Sequence, residues 1–172
     1  LPFALEGAQA ATRGLMSESK LAAAASSALA LGVVKTDAEF SQLASDAAKI
    51  ALKLGVSPDQ MLGDLTTALG RGSAMIPDNA GIILKVSDAN EAYAASIGKT
   101  VSQLDEAEKK IAFQTAAMAA IRASADATTV AYESNAASIA RLKVSAGDAW
   151  EAIERASVNA VGAVTSTAMT FN

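Results

Sequence analysis

The amino-acid sequence predicts an all-α fold, and three observations carry that reading. Alanine supplies 42 of the 172 residues, and it has the highest helix propensity because ordering it freezes no side-chain rotamer. Aromatic residues make up only 4% of the chain against 51% hydrophobic residues, so the side chains that suit a pleated surface are sparse. Capping residues followed by apolar positions at three- and four-residue spacing recur along the chain.

The elements can be justified in order. A first helix is expected over residues 3–13, closed by Gly14, and Ser17 caps an alanine-rich second helix over 18–31 that stops at Gly32. Thr36 followed by Glu39 forms a capping box, after which Phe40, Leu43, Ala47, Ile50, Ala51 and Leu54 repeat at helical spacing as far as Gly55. Ser57 repeats the device, with Pro58 at the first helical position and Gln60 closing the box, and leads through Leu62, Leu65 and Leu69 to Gly70. Gly70 is the expected left-handed terminator.

Residues 70–86 contain three glycines, Pro77 and Asp78-Asn79, which break the periodicity and predict an ordered loop. Ser87 is the expected cap of a short helix over 88–97 ended by Gly98. Thr100 and Asp105 each open a further capping box, the second with Glu108. From Asp105 onward there is no proline and glycine is rare, so one long helix is expected. The predicted division is therefore a lobe of short helices over 1–99 and a long helix over 100–172 that continues beyond the fragment. Leu65, Leu69, Ile83 and Tyr93 are the expected centre of the lobe.

The long segment carries an apolar residue at every seventh position from Leu104, through Ile111, Met118, Ala125, Tyr132, Ile139, Ala146 and Ile153 to Ala160. The companion register, which includes Gln114, Ile121, Thr128, Asn135, Leu142 and Ala149, is apolar only in part. A narrow small-residue seam follows, with Ile111, Met118, Tyr132, Ile139 and Ile153 facing the axis of a helical bundle.

Chemistry is constrained by absences. There is no cysteine and no histidine, which removes thiol nucleophiles, the usual zinc sites and the commonest general base. Fourteen basic and eighteen acidic residues give a net charge of −4 without a basic cluster, so no specific nucleic-acid binding is expected. Gly98-Lys99-Thr100 ends like a phosphate-binding loop, but Tyr93 stands where that loop needs a glycine. Gly70-Arg71-Gly72 begins like a dinucleotide fingerprint, with Met75 in place of the third glycine. Asp105, Glu106 and Glu108 are explained by their place in a first helical turn, where acids favour the helix dipole. Ser73 has no histidine to activate it. No catalytic residue, no cofactor and no metal site is expected.

Several linked motifs say more. Leu69-Gly70-Arg71-Gly72-Ser73, then Asp78-Asn79-Ala80-Gly81, then Ala89-Asn90-Glu91-Ala92-Tyr93, then Gly98-Lys99, and finally Leu104-Asp105-Glu106-Ala107-Glu108 follow one another in that order. This series resembles a segment of the tail tape measure proteins of tailed bacteriophages and prophages. The resemblance runs from about Gly55 to Phe113, about a third of the chain, with the last motif continuing to Ala112; Pro77 and Ala80 depart from the pattern, each standing where a leucine is expected.

The resemblance implies a structural, noncatalytic protein made in the bacterial host cytoplasm and carried in the virion. Several copies of a helical chain would lie in the tail lumen, set tail length during assembly, and leave ahead of the DNA at ejection. Its partners would be copies of itself, tail tube and tail tip proteins, and the host membrane on ejection. A chain starting at Leu1-Pro2-Phe3 is read as a piece of something longer. Two alternatives stand beside this reading: a membrane-active helical protein such as a pore-forming toxin, suggested by the uncharged stretch after Arg155, and a soluble helical adaptor.

Overall fold

Local capping sets most helix starts. The computed structural model describes residues 5–73, 81–127, 138 and 141–155, and these are all-α, with no strand among them. The helices are α1 (Leu5–Thr12), α2 (Glu18–Ala30), α3 (Asp37–Leu54), α4 (Pro58–Arg71), α5 (Val86–Ser96), α6 (Glu106–Asp126) and α7 (residues 141–155), with a 3-10 turn at Val101–Gln103 between α5 and α6. Ser17 Oγ accepts from Lys20 N–H at the start of α2, and Ser57 Oγ accepts from Gln60 N–H at the start of α4. Both halves of the capping box are formed at Thr36/Glu39 and at Asp105/Glu108. Each satisfies donors that a helix start leaves unpaired.

Three boundaries differ from expectation, each for a tertiary or turn reason. α4 runs past Gly70 to Arg71, and the left-handed residue is Gly72, with φ of +67°. Gly70 is instead a buried helical position: a Cβ there would lie 2.5 Å from Leu31 Cδ1 and 2.8 Å from Leu31 Cβ. Its lack of a side chain lets α4 pack closely on the end of α2. α5 begins at Val86 with Lys85 in the capping position, so Ser87 lies inside the first turn, where its hydroxyl donates to Asp88 Oδ1 at 3.0 Å. The Thr100/Gln103 box is formed, but it opens the 3-10 turn and not an α-helix.

α3 is the hub, packing against α1, α2, α4 and α6. Its buried residues Phe40, Leu43, Ala47, Ile50 and Ala51 meet Leu21 of α2 and Leu62, Leu65 and Leu69 of α4 in one core. Alanine at many of these contacts brings the helix axes close but removes little apolar area per residue, so the few large side chains supply most of the burial term.

The expected division at residue 99 is not found among the described residues. α6 contributes Phe113, Ala117, Ile121 and Ala125 to the same core as α3 and α4. These recur every four residues, the spacing of helices that interlock their i±4 ridges. The expected long helix also fails here, because α6 is 21 residues long and ends at Asp126, with Ala127 as its cap. Asp126 is paired to Lys49 of α3 at 3.7 Å, and the next residues, Thr128, Thr129 and Val130, are β-branched and disfavour helix. Absence of glycine and proline permitted a long helix without requiring one.

α7 lies against the turn after α1 and the start of α2. Arg141 Nε donates to the carbonyl oxygen of Arg13 at 3.1 Å, and Ser19 Oγ donates to Glu151 Oε1 at 3.2 Å. Residues 5–127 and α7 are therefore two differently built regions.

Candidate functional site

Of the family-like motifs, the described residues are spread through the lobe in structural roles. Leu69 is fully buried, Arg71 is exposed and Ser73 half-buried, and Gly72, Gly81 and Gly98 all take left-handed conformations. Ala89 and Leu104 are buried, Asn90 and Tyr93 are half-buried and Glu91 is exposed. Asp78 and Asn79 lie outside the described residues. Lys99 and Glu108, nine positions apart, come together as an ion pair that ties the end of α5 to the start of α6. That bond holds the Glu108 carboxyl below its usual range, and the Asp105 backbone N–H adds to the effect. Lys99 is raised by the same partner. In this structure Lys99 serves as a fastener between two helices. Glu106 pairs with Lys109 at 2.7 Å, which accounts for the acidic cluster without a metal. No group of metal-ligating side chains occurs among the described residues.

The expected centre of the lobe is half right. Leu65 and Leu69 are fully buried. Ile83 is 83% exposed, its neighbour Ile82 enters the core instead, and Tyr93 is only half-buried. A one-residue shift on the irregular stretch before α5 turned the wrong isoleucine inward.

Two carboxylates, Asp46 buried and Asp59 half-buried, have raised pKa values. Asp46 on α3 accepts from Gln42 Nε2 at 2.8 Å. Burial raises its carboxyl above the ordinary range, Asp126 adds to this, and Gln42, Lys49 and Arg122 pull the other way. The group is buried on α3, with Lys49 of α3 and Arg122 and Asp126 of α6 as its charged neighbours. Asp59, in the first turn of α4, is also raised, first by burial and then by the charge of Asp148 on α7, against Lys20 and a Ser17 backbone hydrogen bond.

Two surfaces remain as candidates for interaction. The first is a groove of about 450 Å³ between α6 and the turn after α2, floored by Val33, Ile111 and Met118 and rimmed by Lys35, Glu39 and Gln114. Ile111 is 45% exposed there, while Met118 packs partly against the core. Two members of the predicted self-association stripe thus share one groove, but Leu104 and Ala125 of that stripe are buried in the lobe. On α6 the stripe is not a free seam. Tyr132 and Ile139 lie outside the described residues.

The second surface is α7. Its half-buried residues are Arg141, Val144, Asp148 and Glu151, while Leu142, Trp150 and Ile153 are 70%, 67% and 61% exposed. The helix is docked by its polar side and presents its apolar side outward, the reverse of an ordinary surface helix. Ile153 was legible from the seven-residue repeat. Trp150 was not singled out, although its helical offset from Leu142, Ala146 and Ile153 in the sequence signals the same face.

Set against known protein families, curated proteins and solved structures, the chain matches none.

Proposed function

We propose that this chain is a noncatalytic structural segment of a tail tape measure protein, carried inside the tail of a bacteriophage or prophage particle. The observation that carries the reading is the ordered series of motifs from Leu69 to Glu108. Two physical features support it. Small residues line many helix contacts, which keeps the helices slender enough to share a confined space. The chain also lacks cysteine and histidine, which suits a scaffold better than an enzyme.

In this reading the protein sets tail length during assembly, lies in the lumen beside other copies, touches tube and tip proteins, and leaves ahead of the DNA. A helix advances about 1.5 Å per residue only where it is extended. Helices folded back on one another do not add length in that proportion, so α1 to α6 act as a packed block and the ruler lies in extended helix elsewhere.

A membrane-active protein is the second reading, favoured by the exposed Leu142, Trp150 and Ile153. No helix of the described residues is long and apolar enough to cross a membrane, so within α7 that reading rests on a surface-lying helix. Mass spectrometry of purified tailed particles separates the two. Peptides of this chain present in several copies per particle are the expected result, and their absence from intact tails would overturn the tail reading.

A further inference from the structure

The chain has an apolar ridge on α7 that the lobe does not cover, and we infer that this ridge is the seam through which a second copy of the chain binds. In the seven-residue register, Ala146 and Ile153 occupy one core position of α7, and Leu142 and Ala149 occupy the other. All four are apolar and exposed.

The structure supplies an independent observation. The four residues of α7 turned toward the lobe are Arg141, Val144, Asp148 and Glu151, and these fall in two of the three register positions on the side away from a coiled-coil core. The lobe has taken the side that a helical pair leaves free, and the core positions face away from it. A helix that merely filled the edge of the lobe would be turned the other way, with Leu142 and Ile153 inward.

Charge decides between a second copy and a lipid surface. An interfacial helix carries an excess of lysine and arginine on its polar face. Here Arg141, Lys143 and Arg155 are balanced by Asp148, Glu151 and Glu154. Beside the seam itself, Lys143 is the only charge on residues 141–155 in the flanking positions, so two identical helices meet without a row of like charges. Alanine at 146 and 149 lets them approach closely, with Leu142 and Ile153 as the large knobs.

A parallel arrangement rests on the tail reading, because copies threaded through one tube share a direction. It places Ile153 against Ile153 of the second copy. The chain has no cysteine, so a single introduced thiol reports without background. Under mild oxidation Ile153→Cys is expected to give a covalent dimer, while Val144→Cys, on the lobe side of α7, is not. Trp150 is the only tryptophan, so its emission is expected to shift to shorter wavelength as protein concentration rises. Leu142→Asp should weaken self-association in sedimentation at least about tenfold.

A chain that stays monomeric over this range, equal cross-linking at residues 144 and 153, or a Trp150 shift produced only by phosphatidylglycerol vesicles would each overturn the seam. Association without the Ile153→Cys disulfide would keep the seam and overturn the parallel order drawn from the tail reading.

Discussion

The lobe and α7 are built from similar material and end in opposite states. In α3 the large apolar residues turn inward and leave little for another molecule; in α7 the half-buried residues are Arg141, Val144, Asp148 and Glu151, and the large apolar residues Leu142, Trp150 and Ile153 remain outside. Helical amphipathicity predicts which residues share a face, and says nothing about which face meets the rest of the chain. Tertiary contacts decide that. Here a few polar contacts, from Arg141 to the Arg13 carbonyl and from Ser19 to Glu151, orient α7 at the expense of its apolar burial within one molecule.

The sharpest way to break this comparison is to truncate one large apolar residue in each region. Leu65 is fully buried in the core, so Leu65→Ala should lower unfolding stability by about 2–5 kcal/mol in chemical denaturation. Leu142 is 70% exposed, and Leu142→Ala at low protein concentration should change it by less than about 0.5 kcal/mol. Comparable losses at the two sites would mean that α7 is part of the lobe's core.

Within the lobe, two helical glycines on α4 separate close packing from helix propensity. Gly70→Ala drives a Cβ to 2.5 Å from Leu31 Cδ1, so α2 and α4 must move apart at a cost of about 1–3 kcal/mol. At Gly63 nothing lies within 4 Å of the added carbon, and Gly63→Ala should stabilise by about 0.5–1 kcal/mol. Thermal unfolding of the two variants should move in opposite directions.

The smallest effect concerns Asp46. Burial raises its carboxyl pKa in the folded chain, so the ionised form disfavours folding above that raised value, and the cost disappears below the unfolded-state value. Asp46→Asn, which keeps an acceptor for Gln42, should therefore be more stable than the parent at neutral pH. The difference should shrink as pH falls through the raised value. A difference that grew on acidification would reverse the sign assigned to this site.

Features decided within a few residues were legible in the sequence. The caps at Ser17, Thr36, Ser57 and Asp105 and the stops at Gly32 and Gly55 need only the four to six residues around them, and the structure has each one. The roles of Gly70 and Gly72 could not be told apart because Leu31, which decides them, is distant along the chain. Ile82 and Ile83 could not be ordered because nothing periodic surrounds them.

The interaction surfaces were legible to the same degree. The seven-residue repeat picked out Ile111, Met118 and Ile153, but it could not show that the lobe buries Leu104 and Ala125 of that register and leaves Ile111 45% exposed, while α7 leaves Ile153 outside. Lys99 and Glu108 were read as parts of separate motifs, and their ion pair depends on how α5 returns to α6.

Amide hydrogen exchange on the intact chain over a range of protein concentrations tests most directly the claim that the lobe is closed on itself and α7 is open to a second copy. Peptides from α3, α4 and α6 should be protected equally at every concentration, while those from residues 141–155 should gain protection as concentration rises. Protection of residues 141–155 that is the same at all concentrations, or that rises together with protection of the lobe, would contradict it.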